Sequence, residues 1–300
     1  EAARAYAIMS NSVAAAGDDA PMEVLAVMGQ SALAHGAHAE ARRVLAAALQ
    51  RGTNSELQAY VACTLGAAEL VSGAETSAWQ RLAALSAPPA PPLVQAMARY
   101  YRGHAAIARG ATNEARAVLL ASVTNVLSTP LDVPPMLPLR EGFPLADTLL
   151  LLGQLDLETR PDDARRWLTL CVEEYPASAV HEHALLALAA LEARHGEPAQ
   201  ARRRLEHLAA SDQRDVRAAS LLLAGDLARM ASNYTQALEA YQAAAALSSN
   251  TAAGIEARLR AALSLYDAGS YAAAQKEFER VITDSADAAR DDAYIWAAWC

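Results

Sequence analysis

Histidines with nearby carboxylates are the first candidates for chemistry in this sequence. His181 and His183 lie two positions apart, which on a helix points them to different faces, whereas a helical metal pair needs a spacing of three or four. His35 and His38 flank a glycine, and Glu40 is the one carboxylate beside them. The spacing therefore predicts no metal site.

The acidic residues fit helix starts better than a catalytic site. Asp162 and Asp163 follow Pro161, where the dipole of a new helix favours negative charge. Glycines occur singly rather than in the clusters of a phosphate-binding or dinucleotide-binding loop, and no nucleophile motif is present. We therefore expect no catalytic residue, no cofactor and no enzymatic activity in this chain.

Charge and cysteine content exclude further classes of function. The formal net charge is −9, which disfavours a surface that neutralises nucleic-acid phosphates. Cys63, Cys171 and Cys300 are too few and too widely separated for a disulfide framework or a zinc site. No stretch reaches the roughly 20 apolar residues that a transmembrane helix needs. A protein or peptide is the expected partner.

Seven alanines reveal the elements that must position any functional residue. Each is followed four residues later by a large apolar residue, and their spacings are 37, 37, 49, 37, 36 and 37 residues. These anchor alanines are Ala41, Ala78, Ala115, Ala164, Ala201, Ala237 and Ala274, and their followers are Leu45, Leu82, Leu119, Leu168, Leu205, Tyr241 and Phe278. A fixed period of this size is typical of stacked supersecondary units.

Glycines recur at two fixed distances before the anchors. Five residues before an anchor stand Gly36, Gly73, Gly110, Gly196 and Gly269, with Ser232 and Thr159 in the other two units. Twelve residues before stand Gly29, Gly66, Gly103 and Gly225, with alanine in two further units. The first set predicts helix ends in the left-handed conformation. The second predicts a helix crossing at which the small residue faces the anchor alanine.

One long spacing divides the repeats into segments. Residues 1–20 read as the second helix of a truncated repeat, 22–126 as three repeats, 145–288 as four more, and 289–300 as the start of an eighth. Between them, residues 127–144 contain five prolines, which predict an inserted loop. This insert either folds over a groove and grips a partner or packs as a buttress on adjacent helices.

The repeated pattern resembles the tetratricopeptide repeat (TPR). A small residue, a turn, the anchor alanine and a large apolar residue follow each other in Gly225, Asn233-Tyr234, Ala237 and Tyr241. The resemblance implies an all-α fold: an α-solenoid of about seven TPR-like helix-turn-helix repeats in a right-handed superhelix. The units are longer than the family's usual repeat of about 34 residues, and most lack its closing proline.

The resemblance also implies a binding surface, because the first helix of each such repeat lines a concave groove. Projected from the anchors, the partner-binding groove would carry Tyr60, Tyr100, His104, Gln154, His183, Arg194, Asp226, Arg229 and Tyr266. Aromatic residues mixed with charges of both signs suit a peptide or protein surface. We therefore expect a non-catalytic interaction scaffold.

Compartment and context stay open at the level of sequence. Tyr175-Pro176, followed by Ser178, resembles a junction of bacterial periplasmic TPR proteins, which suggests a role in cell-envelope assembly at the periplasm or outer membrane. An alternative is the regulatory or sensor arm of a larger multidomain enzyme or transcription regulator. A third is a structural array that self-associates through exposed terminal repeats.

Overall fold

The computed structural model describes residues 20–51, 55–128, 144–248, 251–284 and 288–300, together with Ala7. These ranges form fifteen helices, and all of their regular secondary structure is helical. The prediction of an all-helical chain is therefore confirmed. Most of the predicted insert at 127–144 and of the predicted segment at 1–20 lies outside the described residues.

The chain divides into two compact units, Glu1–Leu155 and Asp156–Cys300. The first contains α1 (Met22–Ala34), α2 (His38–Arg51), α3 (Ser55–Val71), α4 (Glu75–Leu85), α5 (Pro92–Ala108), α6 (Thr112–Ser128) and nearly all of α7 (Leu145–Asp156). The second contains α8 (Pro161–Glu174), α9 (His181–Arg194), α10 (Pro198–Leu208), α11 (Arg214–Met230), α12 (Tyr234–Leu247), α13 (Ala252–Asp267), α14 (Tyr271–Asp284) and α15 (Ala288–Trp299). The first and second helices of a repeat thus alternate along each unit.

Left-handed residues end the first helices, as the glycine spacing predicts. The five glycines that precede the anchors by five residues have φ values between +73° and +84°. After Gly110, for example, the Ala111 N–H returns to the Ala106 carbonyl at 2.9 Å and closes the end of α5. Ser232 also has a left-handed backbone, with φ +59°. Thr159 does not, so the turn of the fourth repeat has a different conformation.

The anchor alanines and their followers form the core of each helix pair. All seven anchors are 0% exposed, and no follower is more than 2% exposed. The sequence predicted that the glycines face the anchor alanines, but the atoms nearest to them belong to the followers. A Cβ on Gly103 would lie 2.4 Å from Leu119 Cδ2, and one on Gly225 would lie 2.5 Å from Tyr241 Cε1.

The direction of helical side chains explains this correction. A side chain leans toward the N-terminus of its own helix, so the residue four positions after the anchor reaches the crossing point. Only a residue without a Cβ leaves room for it at these distances. The glycine therefore sets how closely the two helices of a repeat approach.

Contacts between repeats produce a continuous face in each unit. Second helices contact the first helix of the next repeat, for example α2 with α3 and α12 with α13. First helices also contact each other directly: α1 with α3 and α3 with α5 in the first unit, and α9 with α11 in the second. Side chains from successive first helices are thereby brought side by side.

Candidate functional site

An open cleft of about 500 Å³ lies across α1, α3 and α5 of the first unit. Most of its walls are apolar, and its aromatic residues come from α5. Its lining is Leu33, His38, Ala67, Leu70, Val71, Glu75, Tyr100, Tyr101, His104, Ala105 and Ala108. An apolar cleft with a few convergent polar groups is the usual form of a ligand site.

Helix α5 supplies the aromatic wall of the cleft. It begins at Pro92, which has the fixed φ that suits a first helical position, and Gly103 lets it pack closely on α6. The Tyr100 ring meets Tyr101 edge-on at 5.3 Å and His104 at 4.6 Å between ring centroids. The three rings therefore support one another in a fixed arrangement.

Burial and one carboxylate set the electrostatics of this wall. Burial raises the pKa of Tyr100 to about 12, with a further contribution from the nearby charge of Asp147. Burial lowers the pKa of His104, and Asp147 opposes that change. Burial also raises the pKa of Asp147 itself, against the effects of its own backbone N–H and of His104. At neutral pH the phenols and the imidazole are therefore uncharged.

Two of the predicted groove residues, Tyr100 and His104, line this cleft. Gln154 is exposed on α7. Tyr60 was placed wrongly among the partner-facing residues, because its side chain is 2% exposed and burial raises its pKa to about 12. Its phenol lies in the core near Cys63 rather than at the cleft surface.

In the second unit, predicted groove residues hold neighbouring repeats together. Arg194 Nη1 donates to Glu158 Oε1 at 3.2 Å, and Arg229 Nε donates to Asp267 Oδ2 at 2.7 Å. The partners are 36 and 38 residues apart, about one repeat. Each of these arginines thus makes an ion pair with a neighbouring repeat, although the Arg194–Glu158 pair stays exposed.

Asp226 and His183 also contact polar side chains of the second unit. Asp226 accepts hydrogen bonds from the Tyr241 hydroxyl of its own repeat, at 2.6 Å, and from Arg260 of the next. His183 Nε2 lies 3.1 Å from an Asp215 carboxylate oxygen, and this hydrogen bond lowers the pKa of Asp215. Four predicted binding residues thus have a structural role in the second unit.

Tyr266, the last predicted groove residue, belongs to an aromatic cluster. Its ring contacts Tyr271 at 5.1 Å and Trp296 at 5.2 Å between centroids. The predicted residues therefore do not converge on one cleft. The sequence places these residues at periodic positions, but it does not show which residues of other helices they contact.

Sequence reasoning missed three polar or aromatic residues of the cleft. Tyr101 directly precedes Arg102 and was passed over, although it lies three residues before His104 on the same helix. His38 was considered as a metal ligand alone, and Glu75 was not considered. Both begin second helices just after the glycine turns, so the recurring turn was the signal that could have found them.

The described residues contain neither a metal-binding group nor a membrane-spanning helix. Within the described ranges, no three His, Cys, Asp or Glu residues are grouped so that they could hold a metal ion. None of the helices in that part of the chain combines the length and apolar character that a bilayer-spanning helix requires.

Comparison with known proteins identifies the fold. No family model and no curated protein sequence matches this chain. Among solved structures, the apo form of the quorum sensor NprR from B. thuringiensis matches 91% of this chain and 79% of its own, with 14% identity and a TM-score of 0.70. A tetratricopeptide repeat protein from Parabacteroides merdae matches 92% of this chain and 97% of its own, with 17% identity and a TM-score of 0.59.

The chain has the TPR fold. NprR has also been solved in complex with its cognate peptide NprX, and that structure matches 92% of this chain and 80% of its own at 12% identity, with a TM-score of 0.59. The TPR resemblance drawn from the anchor pattern and the helical-solenoid fold class are therefore confirmed. None of these similar structures supports the suggested role in cell-envelope assembly.

Proposed function

We propose that this TPR protein is a non-catalytic scaffold that binds a peptide, or an extended segment of a protein, in the cleft of the first unit. The occupant would lie across α1, α3 and α5, with its side chains against Tyr100, Tyr101 and His104. The expected partner is a protein segment rather than nucleic acid, in keeping with the net charge of −9.

The arrangement of the cleft carries this proposal. Three successive first helices present an apolar surface in which rigid aromatic rings stand beside a few polar groups. Aromatic side chains of this kind dominate the binding energy at protein interfaces, because they bury a large area with little loss of conformational entropy. The complex of the similarly folded NprR with its cognate peptide supports a peptide as the occupant.

A library of random linear nonapeptides displayed on phage tests the proposal. Peptides selected on the 300-residue chain should bind Tyr100→Ala and His104→Ala at least about tenfold more weakly, since truncation of an interface aromatic costs about 1.4 kcal/mol or more. Fluorescence anisotropy of labelled peptides measures the affinities. Circular dichroism melting checks that each variant remains folded.

Tyr294→Ala is the matched control, because Tyr294 is 51% exposed on α15 of the other unit. Its loss should leave peptide affinity unchanged. If every selected peptide binds the Tyr100 and His104 variants as well as the parent, the first-unit cleft is not the binding site.

The similarity to a quorum sensor favours one second candidate. In the alternative drawn from the sequence, this region is the regulatory or sensor arm of a larger multidomain enzyme or transcription regulator. The same cleft would then receive the signal. The coding sequence on either side of these residues distinguishes the candidates, because a catalytic or DNA-binding segment would favour the sensor arm.

Self-association through the terminal repeats stays a prediction. Tyr294, Ile295 and Trp299 are between 51% and 65% exposed on α15 and are the apolar surface that such contacts would use. Light scattering of the chain and of an Ile295→Glu variant would detect it as a difference in oligomeric state.

A further inference from the structure

One carboxylate lines the cleft of the first unit and a second lies near its aromatic wall, and neither is paired with a cation among the described residues. Glu75 belongs to its lining, and Asp147 lies close enough to Tyr100 and His104 to change their pKa values. Neither carboxylate makes a side-chain hydrogen bond or an ion pair that links it to another described residue. The described lining of the cleft contains no arginine or lysine.

Three arginines of α4, α5 and the turn after α5 are engaged elsewhere in the first unit. Arg102 and Arg109 place their guanidinium carbons 4.5 and 4.2 Å from the ring centroid of Trp79. Arg81 makes two hydrogen bonds to Glu69, at 3.0 and 3.1 Å. Among the described residues, the lining therefore offers no cation to these carboxylates.

The second unit shows the opposite arrangement at its first helices. There Asp226 and Asp267 are each paired with an arginine. These two carboxylates are thus neutralised by one-repeat ion pairs, whereas Glu75 has no such pair with a described residue. Complementary charge has to come from the occupant.

The aromatic wall also favours a positively charged group in the cleft. Tyr100 and Tyr101 are aromatic rings in the lining, and the face of such a ring attracts a cation. The surrounding Leu33, Leu70 and Val71 offer apolar surface to an aliphatic stem. A long side chain with an apolar stem and a positive end satisfies both.

We propose that the first-unit cleft recognises a basic peptide segment, in which a lysine or arginine side chain lies against the tyrosine rings and the Glu75 carboxylate of the lining, with the Asp147 carboxylate near the same wall. This inference rests on the proposed function and specifies its partner. An acidic segment would meet two like charges and is excluded by the same electrostatics. Apolar residues beside the basic one would fill the remaining cleft.

The nonapeptide library provides the probe for this inference. Peptides selected on the parent chain should be enriched in lysine or arginine at one position. Replacing that residue by norleucine, which keeps the stem and removes the charge, should weaken binding about fivefold or more. Asp147→Asn should weaken the basic peptide and reduce its advantage over its norleucine counterpart.

Asp212→Asn is the matched control, because it removes an exposed carboxylate from the other unit and should leave affinity unchanged. Glu75→Gln tests the second carboxylate in the same way as Asp147→Asn. Circular dichroism melting of each variant separates loss of binding from loss of folding.

The outcomes separate this inference from the function on which it rests. Peptides that require Tyr100 but tolerate norleucine would overturn the basic-segment inference and leave the peptide-binding function standing. Selected peptides that are indifferent to Tyr100 and His104 would overturn the function itself. Equal affinity of Asp147→Asn and the parent chain for the basic peptide would overturn the assigned role of Asp147.

Discussion

At the scale of single residues, the closest contact in a repeat lies between a small residue and the large residue sixteen positions later. Gly225 and Tyr241 form such a pair, and Ala189 and Leu205 occupy the same register one repeat earlier. The Tyr241 ring leaves no room for a Cβ in the sixth repeat, whereas alanine packs in the same core as Leu205 in the fifth and as Phe278 in the seventh. The residues of each pair must therefore be chosen together.

Gly225→Ala is expected to destabilise the protein although alanine is the better helix former. The new Cβ would lie 2.5 Å from Tyr241 Cε1, and relief requires movement of a ring that is 0% exposed. Overpacking costs about 1–3 kcal/mol and outweighs the roughly 1 kcal/mol gained in helix propensity. Urea unfolding followed by circular dichroism measures the change.

The double variant Gly225→Ala/Tyr241→Leu copies the pair of the fifth repeat and is the control. Its stability should exceed that expected from adding the effects of the two single changes, because Tyr241→Leu removes the rigid ring that crowds the added methyl group and Ala189 packs with Leu205 in the fifth repeat. Equal or greater stability of Gly225→Ala alone would show that the two helices are not held by this contact.

At the scale of helices, buried ion pairs join the two helices of certain repeats. Glu192 of α9 is 0% exposed and accepts two hydrogen bonds from Arg204 Nε of α10, at 2.9 and 3.0 Å. Glu69 and Arg81 form the equivalent pair between α3 and α4, again twelve residues apart. The pair supplies the charge that a buried carboxylate needs in that position.

Arg204→Ala should therefore lower stability by about 2–4 kcal/mol, since it leaves the Glu192 carboxylate buried without its partner. Arg203→Ala removes the adjacent exposed arginine and should change stability by no more than about 0.5 kcal/mol. Thermal and urea unfolding compare the two variants. A loss shared equally by both would assign the effect to helix propensity and surface charge instead of the buried pair.

At the scale of the whole molecule, the two units distribute charge differently over the same fold. In the second, one-repeat ion pairs join α11 to α13 through Arg229 and Asp267. In the first, Asp147 and Glu75 stay uncompensated beside an apolar cleft. The proposed binding of a basic segment uses this difference, because a ligand can supply the charge that the second unit supplies from its own arginines.

This difference predicts that binding of a basic peptide weakens as the pH falls. Burial raises the pKa of Asp147, so its negative charge is lost at a higher pH than for an ordinary carboxyl group. Protonation of His104 adds positive charge beside it, and Glu75 and His38 are the other titratable groups of the lining besides the tyrosines. Measured affinity should fall progressively as the pH is lowered from about 7.5 to about 4, the range that spans the ordinary values of histidine and aspartate.

Folding stability should respond less than binding over the same range. The pKa of His104 is lowered in the folded state, so its stabilising contribution is present above the unfolded value of 6.5 and is lost as the pH falls. The pKa of Asp147 is raised, so its contribution has the opposite sign and grows as the pH falls. Asp147→Asn should flatten the pH dependence of binding, and an unchanged profile would contradict this account.

The sequence by itself determined the repeat and therefore the fold. The small residue, the turn, the anchor and the follower recur at fixed spacings. They recur because the chain reverses and two helices cross in every repeat. The reversal and the crossing involve residues within about twenty positions of each other, so Gly110, Ala115 and Leu119 could be assigned from spacing alone. Tyr100 and His104 could be placed on the cleft-lining helix by the same reasoning.

The tertiary structure decided which polar residues are free to bind. Arg194 and Arg229 share the periodic positions of a groove, but each meets a carboxylate about one repeat away, and Tyr60 is buried in the core. Such pairings depend on the packing angle between repeats, which local periodicity does not specify. Only the packed helices show that the second unit satisfies its own charges while the first leaves Asp147 beside an open cleft.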